Sequence, residues 1–273
     1  MTFEKEYYEN SAFWKDGMLE DSSNMERFEK TFRIIPKHVS TLVDVGCGNG
    51  VFLNSLISKN VFKRLVGVDR SSIALSFVQT EKCQSDISSL PFHDNTFDCV
   101  TCLEVLEHIP FALYPKSISE LARLSSKYIV VSVPFNEDLS EAFNKCPYCS
   151  SCFNKELHLR SYSEEDVNLL FKDIGFKCVK MEKLGYSKHY FGHFRFRRMF
   201  YPEQFLKWNS PICPVCGYTE EMVEKSAIPV GLKKHLFLKN IILPILTSLP
   251  KLLWPRVSKP YWILALYEKE ELC

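Results

Sequence analysis

Residues 41–50 read TLVDVGCGNG, and this stretch places an apolar strand directly before a glycine-rich turn. β-Branched and apolar residues run up to Asp44, and glycines then occupy positions 46, 48 and 50. Glycine has no Cβ, so the main chain of such a loop can approach a ligand closely. The next residues, VFLNSLIS, begin a helix. The stretch therefore predicts a strand, loop and helix that hold a ligand with backbone groups.

The spacing of these glycines disfavours a nicotinamide-dependent enzyme. The dinucleotide fingerprint G-x-G-x-x-G would need its third glycine at position 51, which is Val51. The pattern here is D-x-G-x-G-x-G. The next strand ends VGVDRS, so Asp69 is placed to accept hydrogen bonds from both hydroxyls of a ribose.

Short apolar runs alternate with helical patterns along much of the chain. Six stretches read as strands: 41–45, 64–69, 97–103, 128–134, 176–184 and 261–269. The first four are apolar on both faces, which indicates a parallel sheet covered by helices on each side. The last two are predicted to pair antiparallel at one edge. Residues 3–35 mix aromatic and charged residues and predict one or two amphipathic helices packed on the core.

Composition restricts the class of protein. The chain has 273 residues, 46% hydrophobic and 25% charged, with a formal net charge of +1, which is typical of a soluble globular protein. This balance gives no support to a nucleic-acid binder. The N-terminus shows no secretory pattern, so a cytoplasmic location is expected, with contact to the inner face of a membrane as an alternative. In a reducing cytosol the eleven cysteines would be buried thiols or metal ligands.

Four motifs follow one another in a familiar order: VDVGCGNGVFL, LVGVDRS, CQSDISSLPFHDNTFDCVTCLEVLEHI and YIVVSVP. Together they closely resemble the class I S-adenosylmethionine-dependent methyltransferases, especially the small-molecule branch that includes the ubiquinone-pathway methyltransferases. The resemblance covers about residues 1–185 and the final strand. It implies a doubly wound, Rossmann-like α/β fold. The sheet would have seven strands, mostly parallel, with an antiparallel last strand.

The resemblance also implies a set of residues that bind S-adenosylmethionine. Asp69 would bind the ribose, and Asp86 would bind the adenine amino group. The alternative for Asp86 is a capping role before ISSL. The full set is Asp44, Gly46, Cys47, Gly48 and Asn49 at the methionine part, Asp69 and Arg70 at the ribose, Asp86 and Ile87 at the adenine, and Leu103 and Glu104 at the methionine end.

The stretch LEVLEHI carries the candidate catalytic residues. Glu104, Glu107 and His108 have i, i+3, i+4 spacing, so on a helical turn all three would point to one side. In some ubiquinone-pathway and small-RNA 2'-O-methyltransferases this pattern is similar to a divalent-metal site that a later histidine completes, and His158 falls near that place. The resemblance thus implies Mg²⁺ at these residues. The alternative is that Glu107 and His108 act without a metal, with His108 as a base or a pocket wall.

Two C-P-x-C knuckles lie outside the common core. They consist of Cys146 and Cys149, and of Cys213 and Cys216. Four thiolates form a closed tetrahedral site for a structural zinc ion. Cys152 lies off this spacing and is expected to be a bystander. An alternative is a zinc ribbon that grips RNA together with Arg195, Arg197, Arg198 and the aromatic residues of 193–205.

These patterns predict three parts of the chain. Residues 1–36 form an N-terminal helical cap, and residues 37–185 plus 258–273 form the methyltransferase core. The insertions 137–158 and 186–257 form a zinc-linked substrate lid. Residues 236–254 carry two lysines and two prolines, so they are too interrupted for a transmembrane helix. They would cover the acceptor pocket or make peripheral contact with a membrane.

The expected function is methyl transfer from S-adenosylmethionine to a small or lipid- or sugar-linked metabolite, with oxygen favoured over nitrogen or carbon. An RNA methyltransferase and a non-catalytic cofactor-binding module are the alternatives. Neither the acceptor nor the oligomeric state is indicated by the sequence.

Overall fold

The structure is a computed structural model that describes residues 8, 9, 14, 22–139, 143–154, 156–190, 213, 215, 216, 218 and 256–270. The chain divides into two compact units. The core unit comprises Glu4–Glu137, His158–Gly185 and Pro260–Cys273. The insertion unit comprises Met1–Phe3, Asp138–Leu157 and Tyr186–Lys259.

Each of the six predicted strand stretches overlaps a strand of the structure, and an α-helix lies between each consecutive pair of the first four. The helices are α1 Ser22–Ile34, α2 Val51–Ile57, α3 Ser72–Leu75, α4 Tyr114–Leu124 and α5 Glu164–Leu169, with 3₁₀ turns at Leu106–His108 and Lys172–Ile174. The strands are β1 Thr41–Val45, β2 Arg64–Asp69, β3 Glu81–Gln84, β4 Phe97–Leu103, β5 Ser125–Pro134, β6 Phe143–Lys145, β7 Cys152–Asn154, β8 Phe176–Leu184, β9 Ser187–Tyr190, β10 Arg256–Lys259 and β11 Trp262–Lys269.

The core unit is built on a seven-stranded sheet with the order β3-β2-β1-β4-β5-β11-β8. The strands from β3 to β5 are parallel, and β11 runs antiparallel to both of its neighbours. The predicted fold class is therefore confirmed. So is the predicted antiparallel pairing of the last two strands of this sheet at one edge.

Alternation along β1 shows how both faces of the sheet are covered. Val43 and Val45 belong to one buried cluster, which also contains apolar residues of α4 and α5. Leu42 belongs to the other cluster, which contains residues of α1 and α2, among them Phe28 and Phe52. A strand buried on both faces reads as a continuous apolar run, which explains why this strand could be predicted from sequence.

The described residues of the insertion unit form two antiparallel strand pairs, β6 with β7 and β9 with β10. None of the helices among the described residues has the length and hydrophobicity of a membrane span. Residues 193–205 and 236–254, on which the RNA and membrane predictions rest, lie outside the described residues.

Candidate active site and metal centres

The glycine loop joins β1 to α2 at the carboxyl edge of the sheet. Gly46, Gly48 and Gly50 have φ values of 76°, 54° and 73°, in the left-handed region that favours glycine. The Gly46 amide donates to Val68 O at 2.7 Å, which ties the loop to the end of β2. A Cβ on Gly48 would lie 2.7 Å from the Trp14 ring. The Cys47 side chain is buried in the core, as expected for a residue that fills the loop.

Asp69 stands at the end of β2 beside this loop. Its Oδ2 accepts the Gly48 amide at 2.9 Å, and its Oδ1 accepts the Ser71 amide at 2.8 Å. A carboxylate offers about four lone-pair positions, so each oxygen can accept a further hydrogen bond. Burial raises the pKa of Asp69, while the two backbone amides and Arg70 act in the opposite direction. The geometry suits a carboxylate that accepts two ribose hydroxyls.

Asp44 lies within the sheet, between Gly67 of β2 and Thr101 of β4. The Thr101 hydroxyl donates to Asp44 Oδ1 at 2.6 Å. Burial raises the pKa of Asp44 to about 7, and the Thr101 hydrogen bond and Arg27 counteract part of this increase. A cation bound nearby would favour the ionised form of this carboxyl.

Asp86 and Ile87 follow β3, next to the end of β2. The Ser85 amide donates to Asp69 O at 3.0 Å, which holds this segment beside Asp69. Asp86 Oδ1 accepts the Ser88 amide at 2.8 Å and the Ser88 hydroxyl at 2.6 Å. Asp86 therefore makes a local contact of the capping kind, but it closes a turn, because no helix begins at residues 87–90. Its side chain is exposed and Ile87 is buried, so the predicted roles at the adenine remain compatible with the geometry.

The described residues of the N-terminal segment contact the same edge of the sheet. Asn49 Nδ2 donates to Trp14 O at 3.2 Å, and Trp14 Nε1 donates to Tyr8 O at 2.6 Å. The Arg70 guanidinium lies 5.0 Å from the centre of the Tyr8 ring. Sequence reasoning predicted a cap here but none of these contacts. The sequence signal for this cap is the group of aromatic residues in EYYENSAFW, residues 6–14.

Glu104 follows β4 with a φ of 57°, so it lies outside the 3₁₀ turn of Glu107 and His108. Its Oε1 accepts the Ser132 hydroxyl at 3.0 Å, and its Oε2 accepts Trp262 Nε1 at 2.6 Å. Arg27 Nη1 lies 4.0 Å from Oε1. Sequence reasoning did not identify Arg27, because α1 is far from β4 and β11 in the chain.

Glu107, His108 and His158 form a separate group, in which one potential ligand atom from each residue lies within 4.8 Å of the others. Glu107 is fully buried, and neither of its carboxylate oxygens has a hydrogen-bond partner among the described residues. Burial raises the pKa of Glu107 well above its ordinary value, and the nearby Glu104 raises it further. Glu137 Oε2 lies 2.5 Å from His158 Nδ1. The structure therefore brings together Glu107, His108 and His158 and leaves Glu104 out of this group.

The four knuckle cysteines of the insertion unit also converge, with every Sγ within 4.8 Å of the others. The Sγ atoms of Cys146 and Cys216 lie 3.7 Å apart, and those of Cys149 and Cys213 lie 3.9 Å apart. A disulfide would need about 2.05 Å. Tetrahedral zinc with Zn–S bonds of about 2.3 Å requires sulfurs about 3.8 Å apart. The hydrogen bond between Cys149 Sγ and Ser151 Oγ, 3.3 Å apart, is the main cause that lowers the pKa of Cys149 to about 6.

A family model described as a methyltransferase domain matches residues 21–181. The chain belongs to this family of methyltransferases. An uncharacterized protein of Methanocaldococcus jannaschii is 29% identical over 136 residues, which are 48% of this chain and 56% of that protein. A ubiquinone biosynthesis O-methyltransferase of Albidiferax ferrireducens is 29% identical over 98 residues, 32% of this chain and 38% of that enzyme. The matches thus span little more than half of the first relative and less than half of the second.

The fold is also shared with solved methyltransferase structures. A SAM-dependent methyltransferase from Archaeoglobus fulgidus superposes with a TM-score of 0.51 at 17% identity, covering 98% of each chain. At this identity the likeness concerns the fold alone. Family and fold agree with the resemblance that the sequence motifs show.

Proposed function

We propose that this methyltransferase transfers a methyl group from S-adenosylmethionine to a hydroxyl oxygen of a small or lipid- or sugar-linked metabolite. One observation carries the proposal. The backbone of the left-handed glycine loop lies beside the half-buried carboxylate of Asp69, at the carboxyl ends of β1 and β2. Ligands of doubly wound sheets bind at this edge.

The charges at this edge fit a cationic donor. Burial raises the pKa of Asp44, Asp69 and Glu104. Nearby protein cations therefore do not fully offset the cost of burying a negative charge at these three carboxyl groups. A positively charged ligand favours their ionised forms. S-adenosylmethionine, when bound, supplies an activated methyl group on a sulfonium. Asp69 would then orient the ribose, and the amides of the glycine loop would hold the methionine part.

A divalent ion at Glu107, His108 and His158 would favour an oxygen acceptor. The two buried oxygens of Glu107 have no hydrogen-bond partner in the described part of the chain, and such an arrangement is costly without a cation. Glu137 holds His158 Nδ1, which leaves His158 Nε2 to face an ion, as is usual for metal-binding histidines. A bound ion would lower the pKa of an acceptor hydroxyl.

The donor set modifies the expectation of Mg²⁺. Two imidazoles and one carboxylate suit a first-row transition ion better than Mg²⁺, which prefers an all-oxygen shell. Without a metal, His108 remains the candidate base. Its ring packs against that of His158, with 4.8 Å between the centroids. A direct measurement of metal binding distinguishes the site with a metal ion from the site in which His108 acts without one.

That measurement is a titration of metal-stripped protein with Mn²⁺, followed by electron paramagnetic resonance. We expect one tight site that Glu107→Gln abolishes. The matched control is Glu182→Gln, because Glu182 on β8 forms ion pairs with Lys30 and Lys180, away from this group. Equal Mn²⁺ binding by the wild type and Glu107→Gln would remove the metal from the proposal and leave His108 as a base.

In the insertion unit we propose a structural zinc ion held by Cys146, Cys149, Cys213 and Cys216. The spacing of the four sulfurs supports this proposal. The Cys149 amide lies 3.5 Å from Cys146 Sγ, and such backbone contacts stabilise thiolates in a knuckle. Four protein ligands fill a tetrahedral shell, so the ion has no open position for chemistry.

Methyl transfer itself is tested with methyl-labelled S-adenosylmethionine and fractionated cell extracts. We expect label to appear in a small or lipid-extractable product, and Asp69→Asn to reduce the transfer at limiting S-adenosylmethionine. Label in RNA would support the RNA alternative instead. Absence of label from every fraction, with S-adenosylhomocysteine binding intact, would favour a non-catalytic binding module.

A further inference from the structure

A cleft of about 320 Å³ opens in the core unit beside the turn that carries Glu107 and His108. Tyr114, Arg160, Tyr162 and Asp166 line it, together with two leucines of α5 and its end. The cleft is joined to the turn by the backbone, because the Leu159 amide donates to Glu107 O at 2.8 Å. It therefore lies next to the residues proposed to activate the acceptor.

The Arg160 guanidinium is fixed in this cleft by contacts that leave its charge uncompensated. Its Nη1 donates to the carbonyl of Leu106, and its Cζ lies 3.9 Å from the Tyr114 ring centre and 4.8 Å from that of Phe111. Nη2 is buried and has no hydrogen-bond partner among the described residues. No carboxylate in the described part of the chain forms an ion pair with Arg160. A half-buried cation in this state favours an anionic ligand.

The two tyrosines supply a second donor. The Tyr162 hydroxyl donates to the Tyr114 hydroxyl at 3.1 Å, so the Tyr114 proton can be donated elsewhere. Burial raises the pKa of both tyrosines, so both remain neutral donors at physiological pH.

Among the described residues that line the cleft, Asp166 is the acidic one, and its Oδ2 is already hydrogen-bonded. Asp166 Oδ2 accepts the amide and the hydroxyl of Ser163, in the capping box that begins α5. The cleft thus combines a fixed guanidinium, a phenol donor and aromatic rings.

We propose that Arg160 and Tyr114 bind a carboxylate or phosphate group of the methyl acceptor. The Phe111 ring, which is 69% exposed, would pack on an apolar part of the same molecule. The acceptor would then be an acidic hydroxyl compound, held with its anion at Arg160 and its hydroxyl toward Glu107 and His108. This inference rests on the proposed function, because it names the acceptor class of the same site.

The test uses three probes that differ only in the head group: benzoate, phenyl phosphate and phenol. Each is titrated by NMR, with and without S-adenosylhomocysteine. We expect at least one anion to bind about tenfold more tightly than phenol, equivalent to about 1.4 kcal/mol. The preferred anion identifies carboxylate or phosphate as the recognised group. Arg160→Gln should remove this preference, and Arg160→Lys should reduce it if the first variant does not fold.

Arg33→Gln is the matched control, because Arg33 is exposed and paired with Glu29. It should keep the wild-type preference. The inference is overturned if phenol binds as tightly as both anions, if no anion binds, or if Arg160→Gln retains the preference. Failure to bind S-adenosylhomocysteine, with anion discrimination intact, would instead contradict the proposed function.

Discussion

 

Asp69 accepts one backbone amide on each carboxylate oxygen, at the residue where β2 ends. The same oxygens are the expected acceptors for two ribose hydroxyls. Replacing Asp69 with asparagine removes the charge and keeps the shape. Hydrogen bonds to charged groups contribute about 1.5–3 kcal/mol, so we expect Asp69→Asn to weaken S-adenosylhomocysteine binding by about 10- to 100-fold. Calorimetric titration measures this change.

Asp98→Asn is the matched control for that substitution. Asp98 Oδ2 accepts the amides of Ser40 and Thr41, at the start of β1 and therefore at the opposite edge of the sheet. The variant should lose stability and keep the wild-type affinity. Equal losses of affinity in both variants would show that Asp69 acts through stability alone.

Asp44 predicts a pH dependence of the ligand-free protein. Its pKa is about 7 in the folded chain, above the ordinary value of 3.8. The folded state therefore holds a proton that the unfolded state releases. The contribution of protonated Asp44 to the free energy of unfolding is fully present below about pH 3.8, and it is lost as the pH rises through about 7.

We expect the difference in unfolding free energy between wild type and Asp44→Asn to fall by roughly 2 kcal/mol from pH 5 to pH 7. Urea denaturation at several pH values measures it. A difference that is constant with pH would mean that Asp44 is ionised throughout this range.

At the residue scale, the sequence predicted positions better than contacts. The glycine loop and Asp69 could be predicted because strand, glycines and acid follow one another in a short stretch. The partners of Glu104 could not, because Arg27, Ser132 and Trp262 come from α1, β5 and β11. Glu104 was expected to share a helical turn with Glu107, but its backbone departs from helical geometry.

At the scale of elements, the buried strands were predicted closely. The boundaries of β1, β2, β4 and β8 match the predicted stretches, since each is limited by turn residues or charge. β3 was not among the predicted stretches, because the edge sequence EKCQ is largely exposed and has no apolar pattern. Its pairing with β2 is a tertiary contact that a local pattern does not reveal.

The first knuckle, Cys146 and Cys149, lies between β6 and β7 and gives a prediction at this scale. Cys149→Ser removes one of four ligands, so zinc content should fall from about one ion per chain to nearly none. Amides of residues 143–154 should then exchange faster with deuterium, because the metal site holds this hairpin. Elemental analysis and hydrogen exchange measure the two effects.

Cys152→Ser is the control, since Cys152 is exposed and lies outside the four-cysteine group. It should keep both zinc and protection. Zinc that persists in Cys149→Ser, or disappears in Cys152→Ser, would contradict the assignment of the ligands.

At the scale of the whole molecule, the methyltransferase core and the insertion unit raise separate questions. The predicted role of the insertion as a substrate lid stays a prediction, as do RNA binding through residues 193–205 and membrane contact through residues 236–254. Liposome flotation separates the two interpretations of residues 236–254. Flotation that is lost when Ile241, Ile242 and Leu246 are made polar supports membrane contact, and sedimentation of both proteins supports a cover for the acceptor site.

The central claim is that the glycine loop and Asp69 bind S-adenosylmethionine, and calorimetry with its demethylated product tests this most directly. We expect S-adenosylhomocysteine to saturate one site per chain with a dissociation constant in the micromolar range, about −8 kcal/mol. Neither heat nor saturation with S-adenosylhomocysteine or S-adenosylmethionine, on folded protein, would contradict the account.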